Sequence, residues 1–421
     1  MTIVYHENRV WVRISATCNS KCIMCLDGDQ IKLNKFIPEE TVKKQIEQWF
    51  KPWISNKIII SGWEASINPK FFDYIKFAKK IGYHKIQTVT NWLRWADLDF
   101  CKKAVNAWLT EITFSIHWYN SKTHDYITQT PWSFKKIIKA ILNFRKFFPQ
   151  IIVNADIVVS KININYAYKI VQLLKKLDVW EYDILQVIPF SNAWINKDKI
   201  LFDDIFKYFN KWQLIWQESK DLRVHMWANR VFPQLLQWYE YMIQSPEKIW
   251  DETMWEWKAM FKKAWESRAK PICSDKLRCK NCYLQWYCDK MKESFKEDNS
   301  QKYLNNSKEK IYKLESSWDI FWINKNYPEK PTDFINLIKE KSKNVDKIIN
   351  IPYCIVNKNN KFTKFNKNWQ TIENFTKWFI NEWFRIKGLD CKNCKFNEIC
   401  DGLHINFIKK YGFKILKPII D

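Results

Sequence analysis

The stretch RVWVRISATCNSKCIMCLDGD, residues 9–29, decides the reading of this chain. Its first part, Val10 to Ile14, is a short apolar run of the kind that forms a buried strand. Three cysteines follow at once: Cys18, Cys22 and Cys25, with the spacing Cys-x3-Cys-x2-Cys. Thiolates hold iron–sulfur clusters, and a 4Fe–4S cube has four irons to ligate. Three local cysteines leave one iron open to a ligand that is not protein. A zinc knot is the alternative, but zinc sites favour paired Cys-x2-Cys units.

The other cysteines are grouped as well. Cys273, Cys279, Cys282 and Cys288 form one set, Cys354, Cys391, Cys394 and Cys400 another, and Cys101 stands alone in an apolar context. MTIVYHENRVW has no basic-then-apolar signal segment, so such grouping argues for metal and against disulfides. No apolar stretch approaches the roughly 18 residues of a membrane helix, and a cytoplasmic protein is expected. The formal net charge of +24 over 421 residues raises a nucleic-acid partner. However, the lysines are dispersed (KKIIKAILNFRKFF, NKNNKFTKFNKN), and abundant Ile and Asn point to AT-rich coding that inflates lysine everywhere. A solvated lysine surface is the favoured reading.

Along residues 5–195, strand and helix alternate. Strands are expected at Val10 to Ile14, Ile58 to Ile60, Lys85 to Thr90, Glu111 to Ile116, Ile151 to Val159 and Tyr182 to Ile188. Helices are expected at Pro69 to Lys80, Cys101 to Ala107, Phe134 to Phe148 (capped by Ser133) and Tyr166 to Leu177. Six such units suit a parallel sheet whose C-terminal strand ends carry the site. Residues 196–265 read as a helical connection without a chemical motif, and 266–421 as a cysteine-rich domain.

The cysteine triplet after the first strand resembles the motif of the radical SAM (S-adenosylmethionine) superfamily. The resemblance implies an α/β fold with a partial (β/α)6 TIM-like barrel over about 1–195, and a smaller cysteine-rich C-terminal domain. It implies a SAM-binding 4Fe–4S cluster on Cys18, Cys22 and Cys25, and cleavage of SAM to a 5′-deoxyadenosyl radical that abstracts hydrogen. SGWEAS is similar to the family's Gly-Gly-Glu loop, making Gly62, Trp63 and Glu64 cofactor-binding candidates. VTNWLR resembles its Thr-Asn-Gly (Thr90, Asn91), and ITFSIHWYN the serine-bearing end of a later strand (Ser115). Ordinary strand-end capping explains Thr90, Asn91 and Ser115 equally well. His117 and His124 are weaker candidates, since a lone histidine is more often structural.

CKNCYLQWYCD (279–289) and CKNCKFNEICD (391–401) repeat one pattern, each with an upstream cysteine, Cys273 or Cys354. They resemble the auxiliary-cluster domains called SPASM or twitch, although the family's further cysteine would fall at Lys292. One or two auxiliary 4Fe–4S clusters are implied, with structural zinc as the alternative and ligand pairing between the groups open. By the same resemblance the substrate is a peptide or protein and the electron donor a flavodoxin or ferredoxin. The alternatives are a radical SAM enzyme acting on RNA or a small molecule, and a non-catalytic iron–sulfur or zinc module.

Composition adds one expectation. The chain has 25 Trp and only 6 Gly, and together they make about 7% of it, the ordinary glycine share. Trp63, Trp92, Trp118 and Trp132 stand where turn chemistry calls for glycine, as in Asn91-Trp92 and Pro131-Trp132. The expectation is that many of these tryptophans stand for glycine through a UGA codon read as glycine.

Overall fold

The computed structural model describes residues 9–31, 35–52, 56–296, 310–356, 360–361 and 371–420. Residues 1–8 and most of the lysine-bearing stretch 357–368 lie outside them. The chain divides into two compact units, Met1–Asn229 and Arg230–Asp421.

The first unit is one eight-stranded sheet: β1 (Arg9–Ala16), β2 (Lys35–Phe36), β3 (Lys57–Gly62), β4 (Lys85–Thr90), β5 (Glu111–Ser115), β6 (Ile152–Val159), β7 (Glu181–Gln186) and β8 (His225–Asn229). Their order is β2-β1-β3-β4-β5-β6-β7-β8, with the two ends not hydrogen-bonded to one another among the described residues. Every pairing is parallel except β1 with β2. The helices are α1 (Gly28–Ile31), α2 (Glu39–Trp49), α3 (Phe71–Ile81), α4 (Leu98–Asn106), α5 (Ser121–Thr128), α6 (Ser133–Phe147), α7 (Ala167–Lys176), α8 (Ser191–Ile195), α9 (Lys197–Ile200) and α10 (Phe209–Gln217). This is the α/β architecture of a partial barrel, with strand C-termini gathered at one end. The eighth strand falls in a stretch whose sequence reads as helical connection. The edge position explains why: β8 pairs only with β7, and its HMWAN has no β-branched residue to mark a strand.

Side chains alternate across a strand, and here the two faces differ in chemistry. Ile58, Ile60, Ile86, Ile112, Phe114, Val153, Ala155, Ile157, Tyr182 and Ile184 are buried, on the face against which α3 and α7 pack. The intervening residues include Lys57, Gln87, Glu111, Thr113, Asn154, Asp156 and Asp183. A parallel sheet usually reads as apolar on both faces; this one is polar inside.

Helix α6 departs from the sequence expectation. Its N-cap is Trp132 in the left-handed region, with no side-chain cap bond. Ser133 is the first helical residue, and its hydroxyl donates to Asp125 Oδ1 at 2.8 Å instead of capping. Asp125 takes over that task from α5, accepting from the amides of Trp132 and Phe134 at 2.8 Å each.

Among the described residues, ten non-glycine residues have positive φ, and four of them are tryptophan: Trp92 (73°), Trp108 (80°), Trp132 (63°) and Trp238 (72°). Trp63 and Trp118 are not among them. Trp92 is fully buried, its ring centroid lies 2.9 Å from that of Phe114, and its Nε1 has no partner. Aromatic pairs prefer about 4.5–7 Å, so this position has room for a backbone but not for an indole.

In the second unit, strands Ile311–Lys313, Lys347–Ile349 and Asn360–Lys361 form a small parallel sheet, and Arg385–Ile386 pairs with Leu403–His404 antiparallel. Aromatic packing fills the core between helices, with Tyr287 touching Phe261, Phe375 and Phe379 at ring distances of 5.2–5.5 Å.

Candidate active site and cysteine centres

The loop after β1 is short of regular structure and is fixed by bonds from distant segments. The amides of Lys21 and Ile23 donate to the carbonyls of Thr128 and Ile127 at the end of α5, at 3.2 and 2.9 Å. From beyond β7, Asn192 Nδ2 donates to the Cys22 carbonyl at 2.9 Å, and its amide to that of Cys25 at 3.1 Å; Asn196 Nδ2 reaches the Ile23 carbonyl at 3.0 Å. Ser20 donates its amide to Cys18 Sγ at 3.4 Å, and its hydroxyl lies 3.5 Å from Cys22 Sγ. Burial pushes Cys18 up to about 12, with the charge of Glu64 adding to it, and pushes Cys22 to about 11 and Cys25 to about 12. Thiols so disfavoured as bare thiolates are suited to a positively charged iron partner that removes the penalty.

Glu64 closes the turn after β3. Gly62 precedes it at φ 143°, where a side-chain carbon would come within 2.5 Å of the Ser15 carbonyl oxygen; only glycine lets β3 lie so close to β1. The amides of Trp63 and Glu64 donate to the carbonyls of Ser15 and Thr17 at 3.3 and 3.1 Å, tying this turn to the cysteine loop. The Glu64 carboxylate has no exposure. Its Oε1 accepts from the Ser66 amide at 3.1 Å and Thr90 Oγ1 at 2.7 Å, and its Oε2 from the Asn91 amide at 2.6 Å. Burial raises its pKa in spite of these bonds. Asn91 then completes the link: its Nδ2 donates to Cys18 Sγ at 3.3 Å and to Asn19 Oδ1 at 2.7 Å. Cys18, Glu64, Thr90 and Asn91, spread over three strand ends, are thus one hydrogen-bonded group. Ser115 ends β5, half-buried, in register with Asp156 of β6. The indole of Trp63 is half-buried with its Nε1 unpartnered.

His117 and His124 are buried, their rings stacked at 5.9 Å and 14°. Burial lowers them to about 3 and about 4. His124 Nδ1 lies 3.0 Å from Ser133 Oγ, at the α5–α6 corner. Cys101 is buried, its Sγ donating to the Trp95 carbonyl at 3.1 Å.

In the second unit each cysteine set stays within itself. Burial raises Cys288 well above its ordinary value, and Cys282, Cys273 and Cys279 add to it. Burial likewise raises Cys354 to about 11, with Cys400 and Cys391 contributing. Cys354, Cys391, Cys394 and Cys400 line one cavity, walled by Tyr353 and Phe396, whose rings stack at 4.5 Å. The amides of Gly402 and Ile419 donate to Cys400 Sγ and Cys394 Sγ, each at 3.4 Å. The repeated Cys-Lys-Asn-Cys motif folds in two ways. In the first copy Cys279 closes a helical turn capped by Asp275 and Cys288 rides on the helix Gln285–Lys296; in the second, a 3-10 turn and loop carry the thiols. Among the described residues no three or more Cys, His, Asp or Glu side chains stand in the arrangement that grips a single metal ion.

The radical SAM superfamily family model matches residues 12–174, from β1 through α7. This stretch, less than half of the chain, is similar to the radical SAM superfamily. The match begins in the strand that carries the cysteine loop and takes in the Glu64 turn, Thr90, Asn91 and Ser115. A search of curated proteins found no match. Among solved structures the chain is similar to Streptococcus suis SuiB bound to precursor peptide SuiA, at 14% identity over 56% of this chain and 52% of that one (TM-score 0.42). It is similar to anSMEcpe with bound AdoMet, at 15% identity over 52% and 63% (TM-score 0.40). It is also similar to methylornithine synthase, at 11% identity over 53% and 71% (TM-score 0.36). The chain spans about half the length of SuiB. No helix among the described residues is long and apolar enough to cross a membrane.

Sequence reasoning missed Asn192 and Asn196, whose partners lie 170 and 173 positions away, and Ser20, whose contacts to Cys18 and Cys22 lie inside the motif but are not required by its spacing.

Proposed function

We propose that this chain is a radical SAM enzyme that holds its SAM-binding 4Fe–4S cluster on Cys18, Cys22 and Cys25 and modifies a peptide or protein substrate. The observation that carries the cofactor assignment is the bonded group Cys18–Asn91–Glu64–Thr90. It sets a buried carboxylate and a close-approaching backbone beside a three-thiol loop, a donor set that fits a cluster with one open iron and a ligand bearing an amine. When bound, the pair supplies reductive cleavage of SAM and a 5′-deoxyadenosyl radical. Glu64, held by three donors, presents a fixed acceptor to the methionyl amine, while Gly62 keeps the wall of the site at backbone thickness. Asn91 and Ser20 donate to the sulfur of Cys18, and such bonds would tune the reduction potential of a cluster held there. Thr90 fixes the Glu64 carboxylate, and Ser115 stands at the next strand end for the nucleoside side.

Two auxiliary 4Fe–4S clusters are proposed, one on Cys273, Cys279, Cys282 and Cys288 and one on Cys354, Cys391, Cys394 and Cys400. Zinc at about 2.3 Å from each sulfur draws four thiolates tightly around one ion. Each set here brings four thiolates to one neighbourhood, a donor set that also fits a cube. The peptide or protein substrate rests on the resemblance of these centres to SPASM-type domains, and a flavodoxin or ferredoxin is the proposed electron donor. The test is anaerobic reconstitution followed by reduction with SAM present. Formation of 5′-deoxyadenosine, lost in Cys22→Ala, is expected; no cleavage by protein carrying about four irons per cysteine centre would overturn the reading.

A further inference from the structure

The cavity shared by Cys354, Cys391, Cys394 and Cys400 has one charged side chain in its lining besides the cysteines, Lys387. This half-buried lysine follows the strand Arg385–Ile386, which pairs antiparallel with Leu403–His404. Gly402 leads into the second of these strands at φ 86°. A side-chain carbon there would come within 2.3 Å of the Ile386 carbonyl oxygen and 3.0 Å of Lys387 Cγ. Glycine thus lets the two segments press together, and its amide donates to Cys400 Sγ at 3.4 Å. The lysine stem is laid against the cysteine loop in consequence. Its Nζ donates to the Asn397 carbonyl at 2.8 Å and to Asn397 Oδ1 at 2.9 Å, on the segment between Cys394 and Cys400.

Both acceptors are neutral, so they anchor the ammonium without cancelling its charge, and no carboxylate pairs with Lys387 among the described residues. Arg385, two positions earlier, differs: it is buried with Asp401 Oδ2 3.7 Å from its Nη1, a counter-charge at hand. Burial raises the Cys391 and Cys400 thiols, and the Lys387 charge works against it at both. A centre ligated by four thiolates carries negative charge, which an added electron increases. A fixed cation in the same wall therefore favours the reduced state over the oxidised one. We infer that Lys387 sets the reduction potential of the centre held by Cys354, Cys391, Cys394 and Cys400, biasing it toward keeping an electron. The inference rests on the auxiliary-cluster reading above. One electron comes from the donor; no bond is made or broken and no proton moves. Asn397 serves by holding the ammonium in place, and Gly402 by leaving room for the stem.

The test is a potentiometric titration of the anaerobically reconstituted full chain, with dithionite as reductant, followed by electron paramagnetic resonance. The signal of this centre is identified by its loss in Cys354→Ala. In Lys387→Met its midpoint should fall by about 59 mV or more, a tenfold change in the one-electron equilibrium, while the other signals stay in place. Lys387→Arg keeps the charge and should hold the midpoint near that of the wild-type chain. Asn397→Asp leaves the lysine in place and supplies the missing counter-charge, so the midpoint should again fall; this variant carries the comparison should Lys387→Met not fold. An unchanged midpoint in either variant as folded protein, or an equal fall in Lys387→Arg, would overturn the inference and leave the auxiliary cluster standing. Zinc in place of iron at these four cysteines in the wild-type chain would remove the auxiliary-cluster reading and the inference with it.

Discussion

Replacing Trp92, Trp108, Trp132 and Trp238 one at a time by glycine and by alanine makes the backbone speak directly. Both replacements remove the same indole, so loss of burial, and of the Lys79 and Lys135 contacts over the Trp108 and Trp132 rings, cancels between them. What differs is φ. A left-handed conformation costs a residue with a Cβ about 1–2 kcal/mol, whereas glycine's freedom in the unfolded chain costs about 0.5–1 kcal/mol. Glycine should therefore exceed alanine by roughly 0.5–1 kcal/mol at each of the four sites, the reverse of the usual order. Three of them, Trp92, Trp108 and Trp132, lie in the first unit. The triple-glycine chain should melt roughly 3–12 °C above the triple-alanine chain, at ~2–4 °C per kcal/mol. Trp63, whose φ is not positive, supplies the control, and there alanine should equal or exceed glycine. The assay is thermal unfolding followed by circular dichroism under anaerobic, reducing conditions. Alanine equal to or better than glycine at Trp92 and Trp132 would refute the argument that these turns are built for glycine. A second readout needs no variant: peptide sequencing by mass spectrometry of 58–70 from the native source, with glycine at position 63 expected if UGA is read as glycine.

Further outcomes follow from the site. Alanine at Cys18, Cys22 or Cys25 should cost about four irons per chain and abolish 5′-deoxyadenosine formation, while Cys354→Ala and Cys273→Ala should each cost about four irons from separate centres; iron analysis that shows zinc in either would remove the auxiliary-cluster assignment. Glu64→Gln should weaken SAM binding about tenfold or more, as loss of a charged hydrogen bond does, read by calorimetry on the reconstituted protein. Since burial raises Glu64, the metal-free chain should lose stability as pH climbs from about 4.3, the ordinary glutamate value, through its raised value, and Glu64→Gln should flatten that slope in denaturant melts. His117 and His124 act in the opposite sense. With pKa values lowered to about 3 and about 4, they stabilise the fold above about pH 6.5 and that contribution drains away as pH falls. His117→Gln should remove up to about 1.4 kcal/mol per pH unit of the acid-side slope, and an unchanged slope would show that His117 is already charged in the folded state.

The sequence alone determined the parallel core and the grouping of the cysteines. Apolar runs such as Ile58 to Ile60 and Ile112 to Ile116 are local signals, and six of them mark strands that the structure contains. The Cys-x3-Cys-x2-Cys spacing is local too. What tertiary structure alone decided is whatever depends on two distant segments meeting. That Asn91 donates to Cys18, and that Thr90 and Asn91 both serve Glu64, follows from strand ends brought side by side across 26 to 73 positions. Ser133 looked like a helix cap by residue type, yet Asp125 won the amides because α5 sets its carboxylate beside them. Asp156 and Asp183 sit within strands whose apolar neighbours dominate the eye. Only the register of β6 against β7 puts the two carboxylates together, because side-chain alternation chooses a face and the ladder chooses the neighbour.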